Sequence, residues 1–425
     1  MAIDGFLNFE TGDLAECYAS AGAVSASATG AHSGAYCLRA NPVGSGVASV
    51  TLGQYAITFP AAKTCELVKA TFSAGTTVKF RFWIYVAALP SAKERVFTTL
   101  ASGTPVWAIS IDSSSNLSLE YGGVFQYQFA GVTTGAWHLV ELSILSTSSS
   151  GSAPWNFTLD GVSQGSSSAQ TAIGAIDQVA FGKYYDSSGS GYDVLFDDIA
   201  WSTGTAPASV GSQGCVLVPA GAGSNSQWTG SYADVDEVPS DGATTAIVAT
   251  NPNRVQDFTL TDPATVGITP GSTINAVKLV IFAESGATNT VYFDYLISGT
   301  AYGRGNPTLP IGSYPPFGIF AATNPATGVA WTTSDLASLQ VRCRTSDFGD
   351  TQISTVYVLV DFIPAAPIVT PLPRVLSVPR GPARRLPTPA FLARSCNPPN
   401  VRHDPLSRTA ITVVPIPPFH YLNRD

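Results

Sequence analysis

The residues best suited to chemistry in this chain are three acids, Glu10, Asp197 and Asp198. Two carboxylates facing each other across a cleft can hydrolyse a glycosidic bond. Hard oxygens gathered at one place can instead hold Ca²⁺. A structural alternative stands beside both: such acids cap turns and accept bonds from backbone amides. A second acidic group, Asp234, Asp236 and Glu237 in Tyr232-Ala-Asp-Val-Asp-Glu237, reads as a solvated loop. Aromatic faces able to stack on sugar rings are Trp83, Tyr85, Trp107, Tyr121, Tyr127, Tyr184 and Tyr185, although aromatics on strands mostly serve cores. The loop Tyr184-Tyr-Asp-Ser-Ser-Gly-Ser-Gly-Tyr192 gathers three of them, so Tyr184, Tyr185 and Tyr192 are the expected glycan contacts.

Other chemistries lack their residues. The four histidines, His32, His138, His403 and His420, form no HxH or HxxxH pattern, and His138 reads as strand packing. No GxSxG elbow occurs. Gly303-Arg-Gly-Asn306 lacks the lysine of a phosphate loop and counts as a turn. The six cysteines include no CxxC pair, which argues against zinc and dithiol chemistry and for free buried thiols.

Strands must position these residues. Val78, Phe80, Phe82, Ile84 and Val86 alternate with Lys79, Arg81, Trp83 and Tyr85, a period of two that predicts a half-buried strand. Further strands are expected at 95–100, 106–111, 117–121, 125–129, 137–145, 155–159, 176–181 and 192–201, with Gly, Ser, Asn and Asp turns between them. That spacing predicts an antiparallel sandwich. Phe6-Leu-Asn-Phe-Glu10 is expected to pair with Gly191–Trp201 and close it. Residues 206–227 read as a Gly/Ser/Ala linker. A second β-pattern fills 228–363, with strands at 255–260, 276–283, 291–298, 339–344 and 355–362 and a short helical turn after Trp331. The predicted fold class is therefore all-β: a first domain at 1–205, a second sandwich at 228–363, and an extended arm at 364–425.

Composition agrees. Of the 425 residues only 12% are charged, whereas 45% are hydrophobic. The low charge suits strands with polar, uncharged faces better than helices. Net charge is −8, but residues 366–425 carry eight arginines against Asp404 and Asp425, about +6, leaving about −14 elsewhere. The same stretch holds 13 prolines, which exclude helix and central strand and favour extended chain. It also bears apolar side chains. Arg384, Arg385, Phe391, Phe419 and Tyr421 are read as anchors that lay this arm on a neighbouring subunit. No secretory leader and no membrane span are expected. Nucleic acid is a disfavoured partner, because the arm has few aromatics for base stacking.

Phe80-Arg-Phe-Trp-Ile-Tyr85, Gly135-Ala-Trp-His-Leu-Val-Glu141, Phe157-Thr-Leu-Asp-Gly161, Ile176-Asp-Gln-Val-Ala-Phe-Gly182 and Phe196-Asp-Asp-Ile199 together resemble the concanavalin A-like, laminin-G-like jelly roll over residues 1–203. The resemblance implies two packed antiparallel sheets, glycan or protein binding, and in some members a calcium ion near the terminal strands. The stretch from Trp228 to Leu336 resembles β-domains of tailed-phage virion proteins. The function expected from these resemblances is a non-enzymatic virion structural protein, a capsid decoration or a tail or fibre component. Its partners would be other virion proteins and copies of itself. A carbohydrate-binding module for host-surface glycans is the alternative, and a polysaccharide-cleaving enzyme the third reading.

Overall fold

In the computed structural model, residues 4–366 are described apart from 15–16, 18, 43–47, 54–56, 59–63, 66–71, 73–74, 123, 147–153, 168–174, 185–189, 204–211, 243, 288 and 347–349. Residues Met1–Ile368 group as one compact unit. The arm residues Arg384, Arg385, Phe391, Phe419 and Tyr421, and Tyr185 of the tyrosine loop, lie outside the described residues.

The first sandwich packs an eight-stranded sheet on a seven-stranded one. At the centre of the larger sheet, Thr76–Ala88 lies between Trp137–Ser146 and Asp193–Ser202. The alternation read from the sequence holds: Val78, Phe80, Phe82, Ile84 and Val86 are all buried in the core. There Phe82 stacks on Phe97 and meets Phe181 edge-on, at centroid distances of 5.4 and 5.2 Å. Gly5–Leu7 pairs antiparallel with the closing strand, Gly5 opposite Trp201 and Leu7 opposite Ile199. The terminal strands thus meet as expected.

The second sandwich sets a five-stranded sheet against a six-stranded one. It begins earlier than expected. Residues 213–226, assigned from their small side chains to a linker, form the strands Gln213–Leu217 and Pro219–Ser226. The reason is visible in Pro219–Ser226, where after the buried Pro219 exposed and half-buried positions alternate without large side chains. Backbone pairing to Val255–Leu260 holds that strand in place. The helical turn is Thr333–Ala337, capped by Thr332, whose hydroxyl accepts from the Asp335 amide.

The run 276–283, apolar apart from Lys278, has a different cause from simple alternation. Val277, Leu279, Ile281 and Ala283 face the second core. Ala276, Val280 and Phe282 face the first sandwich, meeting Phe6 and Ala200 together with Tyr357 and Leu359. A strand buried on both faces loses the regular polar alternation of a half-exposed one, and its one charged residue here, Lys278, is itself buried. The outer face of the eight-stranded sheet therefore rests on the outer face of the five-stranded sheet.

A polar network sits in this seam. Arg81, 1% exposed, places Nη2 3.6 Å from Asp361 Oδ2. The same nitrogen donates to Ser212 Oγ at 3.0 Å and to the Asp198 carbonyl at 3.2 Å. Ser212 Oγ is 2.8 Å from Asp361, and Asn275 donates to the same carboxylate. Gly214 is needed beside it, because a Cβ there would collide with the Asn8 side chain.

Candidate functional site

Along Thr76–Ala88 the outer face passes from covered to half-open. Arg81 is sealed in the seam, whereas Trp83 and Tyr85 are only half-buried. Opposite them on the neighbouring strand, Trp137 pairs with Tyr85. The Tyr85 and Trp137 rings are 5.5 Å apart. His32 lies over Trp83, its ring stacked at 3.8 Å, and approaches Trp137 edge-on at 5.6 Å. Four aromatic rings thus share one patch of sheet at the rim of the seam.

His32 is carried by the loop 28–36, which joins Val24–Ser27 to Cys37–Ala40. The three acids singled out in the sequence hold this loop. Asp197 Oδ2 accepts from the amides of His32 and Ser33 at 2.8 and 3.2 Å. Asp198 accepts from Ser33 Oγ at 2.7 Å and lies 2.9 Å from His32 Nδ1. Glu10 accepts from the Ala35 and Tyr36 amides at 2.8 and 3.4 Å. A side chain on Gly34 would run into the Glu10 carboxylate, and its φ of +62° also favours glycine.

The backbone is bent to reach this arrangement. Pairing with Thr76–Ala88 slips between Asp197 and Ala200, a bulge that re-aims the acid within it. Asp198 has φ 47° and Phe9, next to Glu10, has φ 57°. Left-handed backbone in residues other than glycine is costly and often marks a constrained site. Burial, then the Asp198 charge, pushes the Asp197 carboxyl well above the usual carboxylate range, against three amide hydrogen bonds that pull it down. Among the described residues no three acidic, histidine or cysteine side chains converge as a metal site. A calcium ion held by Glu10, Asp197 and Asp198 would have to displace the amide and hydroxyl donors that engage them.

The other candidates fall elsewhere. Tyr192 is 3% exposed and its hydroxyl donates to the Arg95 carbonyl, so it offers no ring face to a sugar; burial in the first core corrects that expectation. Tyr184 is half-buried at the end of Gln178–Lys183. Trp107 and Tyr121 lie in the core with their rings 4.4 Å apart. Tyr127 is 44% exposed, beside Phe129 and Trp155 at the sandwich edge. His138 is a staple: Nδ1 is 2.7 Å from Asp160 and Nε2 accepts from the Thr133 amide. Cys37, Cys215 and Cys343 are free and buried, and burial lifts the Cys37 thiol to about 12.

Sequence reasoning found Trp83 and Tyr85 but missed Trp137 and His32. Trp137 opens a strand whose period of two places it beside Tyr85, so the pairing register would have found it. His32 sits in a stretch of small residues with no periodicity, and only the fold brings it to Trp83.

No protein-family model matches the chain, and no curated protein matches it. Several solved structures do. A Trypanosoma rangeli sialidase is 13% identical at a TM-score of 0.32, over 48% of this chain and 30% of the sialidase. Domain 4 of AbnA, an extracellular arabinanase from Geobacillus stearothermophilus, is 12% identical at a TM-score of 0.33, over 48% of this chain and 93% of that domain. The alginate lyase AlgAT5 is 11% identical at a TM-score of 0.29, over 39% of this chain and 77% of the lyase. The expectation of a non-enzymatic protein finds no support among them, since they include sialidases, an arabinanase domain and a lyase. None of them links the chain to a phage particle.

Proposed function

We propose that the first sandwich binds carbohydrate on the patch formed by Trp83, Tyr85 and Trp137, with the loop 28–36 shaping one side. The observation that supports this reading is the gathering of these three half-buried rings with His32 on one sheet face. Sugar rings present C–H faces that stack on aromatic rings, and aromatic stacking adds energy beyond the area covered. Such patches commonly lie where two domains meet, as this one does at the rim of the seam. A glycan array read with the full chain, followed by tryptophan-fluorescence titration of each hit, tests the proposal. Trp137→Ala and Tyr85→Ala are expected to weaken binding of the same glycan. Glycan binding indifferent to both substitutions would remove the site. Tyr184→Ala in the same assay decides whether the tyrosine loop contributes.

Display of this module on a phage particle is a separate proposal, supported by the sequence resemblance alone. Peptide mass spectrometry of purified particles decides it, and absence of the chain from particles ends it.

A further inference from the structure

The second sandwich has its own concentration of charge. Between residues 212 and 366 the sequence holds only five basic residues: Arg254, Lys278, Arg304, Arg342 and Arg344. Arg304 lies on Thr300–Gly305, and Arg342 and Arg344 lie on Gln340–Thr345, all in the six-stranded sheet. Arg254 immediately precedes Val255–Leu260 of the same sheet. The first sandwich packs on the other, five-stranded sheet, so it does not cover this face.

The arginines on this face are not equivalent. Arg342 is spent on Asp257, donating from Nε and Nη2 at 2.8 and 2.9 Å. Arg304 stands 47% exposed, its Nε 4.0 Å from Asp294. Arg344 stacks over the Tyr292 ring at 4.6 Å, and Arg304 lies 5.3 Å from the same ring. Among the described residues the Arg344 side chain makes no hydrogen bond and no ion pair closer than 4 Å. Stacking uses the plane of a guanidinium and leaves its in-plane N–H donors for another partner. Two guanidiniums thus flank one half-buried tyrosine; Asp294 is the carboxylate nearest them, accepting from the Arg304 amide and drawn to both charges without a hydrogen bond from either guanidinium.

We propose that the Arg304–Tyr292–Arg344 face binds an oxyanion carried on a polysaccharide, either the carboxylate of a uronic-acid unit or a sulfate ester. Planar guanidinium donors match both groups. Nucleic acid would call for free rings on which bases can stack, and the Tyr292 ring here is taken up by the two guanidiniums. This site is independent of the aromatic patch on the first sandwich.

The test is calorimetric titration of the full chain, at low ionic strength, with an oligogalacturonate, a dextran sulfate oligomer and a neutral dextran oligomer. Binding of at least one charged oligomer is expected, weakening with added salt. The carboxylate arm binding alone identifies a uronate, and the sulfate arm alone identifies a sulfate ester. Arg344→Gln and Arg304→Gln are each expected to weaken that binding about tenfold. Arg304 is solvent-facing, so its variant keeps the fold and reads the site even where Arg344→Gln perturbs packing. Carrying Arg304→Gln in both the native and the Trp137→Ala background separates the two sites, since the loss owed to Arg304 is expected in both. Equal binding of the neutral oligomer, unaltered affinity in the double variant, tighter binding of single-stranded DNA, or no binding of either charged oligomer would each overturn the proposal.

Discussion

Replacing Arg81 with methionine should weaken the unit through a single group, the Asp361 carboxylate. The arginine and the aspartate are both almost fully buried in the seam between the sandwiches. Methionine keeps much of the side-chain volume but removes the charge and the donors to Ser212 and the Asp198 carbonyl. Removing one partner of a buried pair leaves the other charge uncompensated and costs about 3–5 kcal/mol. Asp361 retains Ser212 and Asn275 as donors, which places the expected loss near the lower end, about 3 kcal/mol. Spread over a unit of 368 residues, at about 2.1 cal/mol/K of unfolding entropy each, that corresponds to roughly 4 °C in melting temperature. Burial pushes the Asp361 carboxyl above the usual carboxylate range, against the opposing pull of Arg81 and of the Asn275 and Ser212 hydrogen bonds. A raised acid binds its proton more tightly when folded, so its contribution to stability falls as pH rises through the ordinary carboxylate value. Losing Arg81 raises the group further. The penalty of Arg81→Met should therefore be smallest near pH 4, about the ordinary aspartate value, and largest at neutral pH. Urea melts across that range, followed by tryptophan fluorescence, read both quantities. The double variant Arg81→Met, Asp361→Leu should regain most of the loss, because neither charge is then stranded. A single-variant cost below about 1 kcal/mol, or a double-variant cost equal to the sum of the two singles, would refute the reasoning.

Three further outcomes are expected. Lys183 and Glu94 form a fully buried pair at 3.0 Å, with Lys183 also donating to the Ser190 carbonyl at the base of the tyrosine loop; Lys183→Met should lower the urea midpoint by a loss of about 3–5 kcal/mol, and an unchanged midpoint would count against the pair. Glu120 is pushed up by burial, but hydrogen bonds from Lys93 and Ser110 and the Arg95 charge outweigh this and hold it below the usual range. Its stabilisation is present above the ordinary glutamate value and is lost as pH falls through its folded value, so Glu120→Gln should flatten the acid limb of a stability-versus-pH curve. Deleting residues 369–425 should leave the calorimetric transition of the Met1–Ile368 unit in place, since that unit is compact by itself.

Much of the fold was legible where one face of a strand meets water. The alternation from Val78 to Val86 assigned core positions correctly, because period two survives where the opposite face carries polar or half-open residues. It was less legible where small residues make strands by backbone pairing alone, as in Pro219–Ser226. The acids Glu10, Asp197 and Asp198 could be singled out by type and by their place on paired terminal strands. What they hold could not, because the loop bearing His32 reaches Asp197 across 165 residues of sequence. Tyr192 misled for the opposite reason: a glycine- and serine-rich neighbourhood suggests an open loop, yet the residue enters the core as the closing strand begins.

Because Gly5–Leu7 is completed only by Ile199–Trp201, the first sandwich cannot close during synthesis until some two hundred residues have left the ribosome. Its opening strand must wait, unpaired, through the making of every other strand of that domain. The same adjacency brings the two ends of the domain side by side, so a short peptide joining them would permit new termini to be cut at a surface turn such as Asp160-Gly161 without rearranging either sheet.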